Sequence, residues 1–151
     1  MNYWLLKSEP DEFGIDHLAA RAKQTEMWDG VRNYTARNHM RAMRKGDQAF
    51  FYHSSCVVPG IAGVIEIVRE AYPDPRQFER NSDYFDAASL ADNPRWSAVD
   101  VKFLRKLQRV ITLEELRAQA PKLGEFVLLR RGRLSVLPVT AAQWKFVFTL
   151  E

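Results

Sequence analysis

The chain has almost no cysteine: one thiol, Cys56, stands among 151 residues. No internal disulfide can form, which excludes a disulfide-stapled secreted scaffold and points to a reducing compartment. The expected location is cytoplasmic, with nucleoid association compatible with it. Glycine is also sparse, at seven residues, and none builds the G-x-G-x-x-G or G-x-x-x-x-G-K-[ST] loops that cradle nucleotide phosphates. The G-x-S-x-G elbow of serine hydrolases is absent too. His17, His39 and His53 with Cys56 make no zinc-binding spacing, so neither a metal nor a cofactor is expected. No stretch approaches the roughly 20 apolar residues of a membrane span. Lys7 interrupts the opening run too early for a signal peptide, so no membrane partner is expected.

What remains is globular composition: 46% hydrophobic, 12% aromatic and 27% charged residues. A chain of 151 residues fits one domain spanning residues 1–151, long enough for a core without staples. No motif sets an oligomeric state, and a monomer is the favoured reading. The net charge of +3 is unevenly spread. Residues 1–60 hold 8 basic and 7 acidic side chains, residues 61–100 hold 4 and 8, and residues 101–151 hold 10 and 4. Both a basic face for phosphates and a merely solvated surface fit that asymmetry.

Hydrophobic patterning gives a mixed α/β order. Tyr3–Lys7 reads as a buried strand ended by Ser8-Glu9-Pro10, and residues 14–23 read as a short helix. A short extended piece at 26–30 precedes a helix over 33–43, with Tyr34, Met40 and Met43 as its inward contacts. Strands are expected at 48–54 and 60–69, where Gly63 signals a bulge or close backbone approach. Residues 70–93 read as a long irregular loop, and loops of that length are disproportionately functional. An extended stretch follows at 96–110. Thr112-Leu113-Glu114-Glu115 and Thr140 with Gln143 are capping boxes that open two late helices, the first ended by Pro121. Between them, 133–139 reads as a last strand. The order suits a mixed sheet or small barrel with helices against it.

His53 and Cys56 form the one nucleophile-and-base arrangement. Val57 and Val58 beside the thiol favour inert packing over the exposed, low-pKa environment a reactive cysteine needs. The more distinctive chemistry lies where aromatic and polar residues cluster at strand ends: Lys7-Ser8-Glu9-Pro10, Trp28 through Tyr34, Tyr52-His53-Ser54, and Tyr84 in the long loop. Aromatic faces stack on flat ligands such as bases, while short polar groups read their edges. Core aromatics flanking a turn would give the same pattern, and Arg32, Arg37 and Arg133 could equally be solvated or hold phosphates.

Seven blocks in order carry a resemblance: Tyr3–Pro10, Trp28–Tyr34 with Ala36–Asn38, Phe51–Ser54, Gly60–Gly63, Ala71–Asp74, Trp96–Val101 and Arg133–Val139. Together they resemble the EVE domain family of the PUA-like superfamily, to which YTH and ASCH domains also belong. The resemblance implies a curved, partly closed β-barrel with surrounding helices and a pocket for a flipped or unpaired modified base. It implies nucleic acid as partner, with modified cytosine in DNA leading and RNA still open. Carried onto this chain, it makes Trp28 a stacking wall and places Ser8 beside the pocket. Asp29, Asn33 and His53 become candidates for base-edge bonds, and Tyr34, Tyr52 and Tyr84 for further walls. Lys7, Glu9, Pro10 and Ser54 fall on the rim, and Arg32, Arg37, Arg133 and Ser135 at phosphates or behind the pocket. The function implied is binding without catalysis. An RNA-binding module, an enzyme acting on a nucleotide or small acyl substrate, and a scaffold with a vestigial pocket are the alternatives.

Overall fold

The run Tyr3–Ser8 is apolar at three successive positions, Trp4, Leu5 and Leu6, all buried. Burial on both faces is what a strand inside a sheet shows. In the computed structural model, which describes residues 1–151, this strand (β1) pairs in parallel with β3 (Gln48–His53) and antiparallel with β6 (Val136–Val139). Two long strands, β4 (Gly60–Pro73) and β5 (Ser97–Thr112), continue the sheet to the short β2 (Thr25–Trp28). The order is β2-β5-β4-β3-β1-β6. The edge strands β2 and β6 do not pair, so the sheet is open. Register shifts interrupt the β3–β4 ladder once and the β4–β5 ladder four times, and such bulges bend and coil strands of this length.

Seven short helices surround the sheet: α1 (Pro10–Phe13), α2 (Ile15–Ala20), α3 (Tyr34–Ala42), α4 (Leu113–Ala118), α5 (Ala120–Leu123), α6 (Val127–Arg130) and α7 (Ala141–Phe148). Both predicted capping boxes form. Thr112 accepts from Glu115 N–H at 3.1 Å and Thr140 from Gln143 N–H at 3.1 Å. One cluster of 33 buried residues fills the interior. Within it, Trp144 of α7 stacks on Phe50 at 4.1 Å, and the half-buried Tyr3 packs onto the cluster by stacking on Trp144 at 4.4 Å. Gly63 is the close approach its sequence setting suggests: a Cβ there would lie 2.5 Å from Ile15 Cδ1 and 2.9 Å from the Arg105 carbonyl. No helix is long and apolar enough to cross a membrane.

Several local expectations need correction. The helix expected at 14–23 is shorter, Ile15–Ala20, because Lys23 and Gln24 take positive φ after it; an additional turn, α1, precedes it, started by Pro10 at a first helical position. Strand β4 runs to Pro73 rather than stopping at Arg69. Its final residues pair only with β5, so proline's missing N–H costs nothing on the open side. Pro121 does not stop the chain's helical course but sits in the first turn of α5. Tyr34, expected to point inward, is 51% exposed and stacks on Trp96 at 4.9 Å.

Candidate nucleic-acid interface

Because β1 and β3 are parallel, their carboxyl ends lie side by side, Ser8 opposite His53. Ser54 N–H donates to the Ser8 carbonyl at 2.9 Å, closing that edge. The carboxyl end of β2, the start of β6 and helices α4 and α6 bring further residues to the same opening. The result is a cleft of about 1110 Å³. Of the residues singled out in the sequence, Lys7, Ser8, Glu9, Trp28, Asp29, Arg32, Tyr52, Ser54, Tyr84, Arg133 and Ser135 line it.

Trp28 closes the cleft from within. It is only 7% exposed, set edge-on to Phe51 at 5.4 Å and to Phe13 at 6.2 Å. Its indole N–H has no acceptor in the protein, yet no buried side-chain nitrogen or oxygen lacks a partner. That N–H therefore reaches open space. Tyr52 is buried in β3 with Lys7 Nζ 5.6 Å from its ring centre, and burial pushes its phenol pKa up. Burial likewise pushes the Lys7 ammonium pKa down. Lys7 Nζ donates to the Gly132 carbonyl at 2.8 Å, and its backbone N–H donates to Ser135. These bonds tie β1 to the turn before β6.

Across the cleft, Tyr84 reaches in from the loop that follows β4. Gly30 lies beneath its ring at φ +75°, and a Cβ there would come within 2.7 Å of the Tyr84 ring. The absence of a side chain is what lets the tyrosine settle. Arg32 holds the same lip from below. It donates to the Tyr84 carbonyl at 2.8 and 3.1 Å and to the fully buried Asp74 carboxylate at 2.9 Å. Asp29 does not point a free carboxylate at the cleft, since Arg76 Nε pairs with it at 3.0 Å.

Five sequence candidates fall elsewhere. Asn33 caps α3, accepting from Ala36 N–H at 2.9 Å, which uses its side-chain oxygen locally. Tyr34 lies between Trp96 and Arg37, whose guanidinium sits 4.6 Å from its ring. Arg37 also donates to the Arg95 carbonyl at 2.9 Å and does not line the cleft. His53 Nε2 accepts from Ile15 N–H at 3.2 Å, and burial lowers its pKa. Together with Pro10 and Cys56, His53 lines a separate shallow depression; of these three, only Cys56 also touches the main cleft. Sequence reasoning in turn missed Phe13, Arg76, Arg117 and Leu128. Phe13 could have been found by reading Pro10 as a helix start. Arg117 carries no local signal, because only the return of α4 to the strand ends brings it here.

The electrostatics are divided. Arg21 and Arg76 are neutralised by Glu26 and Asp29, and Arg32 by Asp74. Arg117 and Arg133 line the cleft with no carboxylate partner, so together with Lys7 they leave a cationic lobe. Glu9 and Glu12 line the other side, also without ion-pair partners. No three His, Cys, Asp or Glu side chains converge in a way that could hold a metal ion. The arrangement offers aromatic surface, mixed edge groups and adjacent cations, the set that takes a flat base on a phosphate backbone.

Across this open mixed sheet and the cleft at its strand ends, the family model described as the EVE domain matches residues 2–150. The chain belongs to the EVE domain family. It is 50% identical over 166 residues to human thymocyte nuclear protein 1, covering 99% of this chain and 74% of that protein. An uncharacterized protein of Schizosaccharomyces pombe is 38% identical, over 99% of this chain and 68% of that one. The crystal structure of human THYN1 protein in complex with 5-methylcytosine-containing DNA matches with a TM-score of 0.97 at 48% identity, covering 99% of this chain and 97% of that chain. A Pseudomonas putida protein matches with a TM-score of 0.93 at 52% identity, covering 98% of each chain.

Proposed function

We propose that this protein is a non-catalytic reader of modified bases in DNA, with 5-methylcytosine the leading ligand, bound in the cleft after leaving the base stack. The observation that carries the proposal is its near-identity of fold to the human protein solved with DNA containing that base. The cleft supplies a physical route. Extruding a base costs a few kcal/mol, offset by contact with the Trp28, Phe13 and Tyr84 rings and by edge bonds to the Lys7–Glu9 strand end. Arg117 and Arg133 hold the flanking phosphates, which makes binding fall with salt. One methyl group adds little area, so discrimination from cytosine belongs in the range of roughly 10–200-fold. His53, held by Ile15, lies outside the cleft lining, so Cys56 has no histidine base beside it there.

The test is titration of fluorescent oligonucleotides carrying one cytosine, 5-methylcytosine, 5-hydroxymethylcytosine or N6-methyladenine, as DNA and RNA, at fixed salt. The proposal expects tightest binding to a modified-cytosine DNA and loss of that preference in Tyr84→Ala. Equal binding to every oligonucleotide contradicts it. A preference for RNA regardless of modification would move the protein to an RNA-binding role.

A further inference from the structure

The hydroxyl of Ser8 has one proton, and Ser8 Oγ gives it to the Phe13 carbonyl at 2.7 Å. A carbonyl cannot donate, so the direction of that bond is fixed by chemistry, and what is left on the Ser8 oxygen is acceptor capacity only. Ser8 lines the cleft, and Phe13, whose carbonyl it holds, packs against Trp28. The neighbouring Glu9 is exposed, lines the cleft and adds acceptors with no partner of their own. On the other side, Lys7 Nζ uses one proton on Gly132 and keeps two to donate. The end of β1 thus presents a donor followed by obligate acceptors.

Where the acceptor oxygen of Ser8 meets position 4 of a pyrimidine, it suits one base and opposes another. Cytosine carries an amino donor at position 4 and acceptors at N3 and O2. Thymine carries a 4-oxo acceptor and an N3 donor. Resting on the base-reading function proposed above, we infer that Ser8 is a specificity-determining residue: its oxygen accepts from the exocyclic amine of the extruded base, so the cleft takes 5-methylcytosine and rejects thymine. The two bases share ring and methyl group, so neither shape nor methyl contact separates them. A thymine O4 set against Ser8 faces lone pairs. Turning the hydroxyl to meet it would strip the Phe13 carbonyl of its donor. An unsatisfied polar pair of this kind lowers affinity by about tenfold or more.

The experiment is a binding cycle by fluorescence anisotropy at fixed salt. Duplexes carry 5-methylcytosine, thymine or 5-methyl-2-pyrimidinone opposite an abasic site, so that extrusion breaks no base pair. The pyrimidinone is 5-methylcytosine without its amine. Wild type should bind 5-methylcytosine at least about tenfold tighter than either analogue. In Ser8→Ala the advantage over the pyrimidinone should collapse towards one, the two losses being non-additive because they remove two ends of one bond. Ser8→Thr, which keeps the hydroxyl, should retain the preference. Thymine bound within about twofold of 5-methylcytosine by wild type overturns the inference, and that comparison stands even if Ser8→Ala does not fold. Equal weakening of all three ligands in Ser8→Ala, the mark of a structural role through Phe13, overturns it as well. A duplex with an abasic nucleotide in place of 5-methylcytosine binding just as well removes the base-reading function, and this inference with it.

Discussion

Trp28 shows how a single side chain can belong to the core and still line the cleft. Its ring is packed edge-on between Phe13 and Phe51 and is 7% exposed, so its removal is first a packing event. Trp28→Ala should lower unfolding free energy by about 3–5 kcal/mol, read by urea denaturation, and a binding loss in that variant would be ambiguous. Trp28→Phe keeps most of the ring and should retain the greater part of the stability while weakening binding to 5-methylcytosine DNA. If Trp28→Phe binds like wild type at equal stability, the indole is core alone. Trp28 was legible as a candidate because aromatic and polar residues cluster from Trp28 to Tyr34 beside a turn, and because the family resemblance makes it a stacking wall. Asn33 was legible for the wrong reason. An asparagine before a helix competes between capping and ligand contact, and here the cap takes it.

Among the elements, the loop between β4 and β5 is the one whose order rests on distant partners. Asp74, fully buried, accepts from Gly30 N–H, Arg32 and Arg76 N–H. Buried Gln77 bridges the carbonyls of Asp74 and Trp96 and accepts from Ser89 and Trp96 N–H. Arg32→Ala would leave a buried carboxylate short of its counter-ion, at a cost of about 3 kcal/mol, the lower end for a broken buried pair because two backbone donors remain. Hydrogen exchange should then show weaker protection across residues 79–93, with Tyr84 freed from the cleft lip. Unchanged protection would mean the loop is held without Arg32. None of this was readable from 70–93 in sequence, where the residues are polar and irregular and the bonds span up to 52 positions.

The junction of β3 with α2 carries the pH dependence. His53 accepts a hydrogen bond from Ile15 N–H, which requires the neutral ring at Nε2. Burial lowers its pKa, Asp16 opposes this, and Lys106 and His17 reinforce it. A group whose folded pKa is depressed contributes stability that is fully present above its ordinary value of 6.5 and is lost as pH falls through the folded value. Wild-type stability should therefore begin to decline as pH drops below about 6.5, and His53→Gln should flatten that part of the curve. Parallel curves for the two proteins from pH 7.5 to 5 would remove His53 from the account. The capping boxes that start α4 and α7 lie at the opposite extreme of legibility: their bonds are three residues long and formed where the sequence indicated.

For the whole molecule, the excess of basic residues in 101–151 becomes meaningful only after folding. Most cleft arginines are neutralised by carboxylates, and two from that segment, Arg117 and Arg133, are not. Composition could show the excess but could not show which cations stay unpaired or that α4 returns one of them to the strand ends. Arg117→Ala and Arg133→Ala should each weaken DNA binding with or without the modification. Each should also reduce the slope of log affinity against log salt by about 0.9, the value for one phosphate contact. A slope unchanged in both variants would place the phosphates elsewhere.

The same separation of backbone from base gives the most direct test of the account. We would measure the affinity of wild type for duplexes differing only in one cytosine or 5-methylcytosine, across a salt series. Both complexes engage the same phosphates, so both affinities should fall together while their ratio stays constant and in favour of 5-methylcytosine. A ratio of one, or a preference that vanishes as salt rises, would contradict recognition of the base in the cleft.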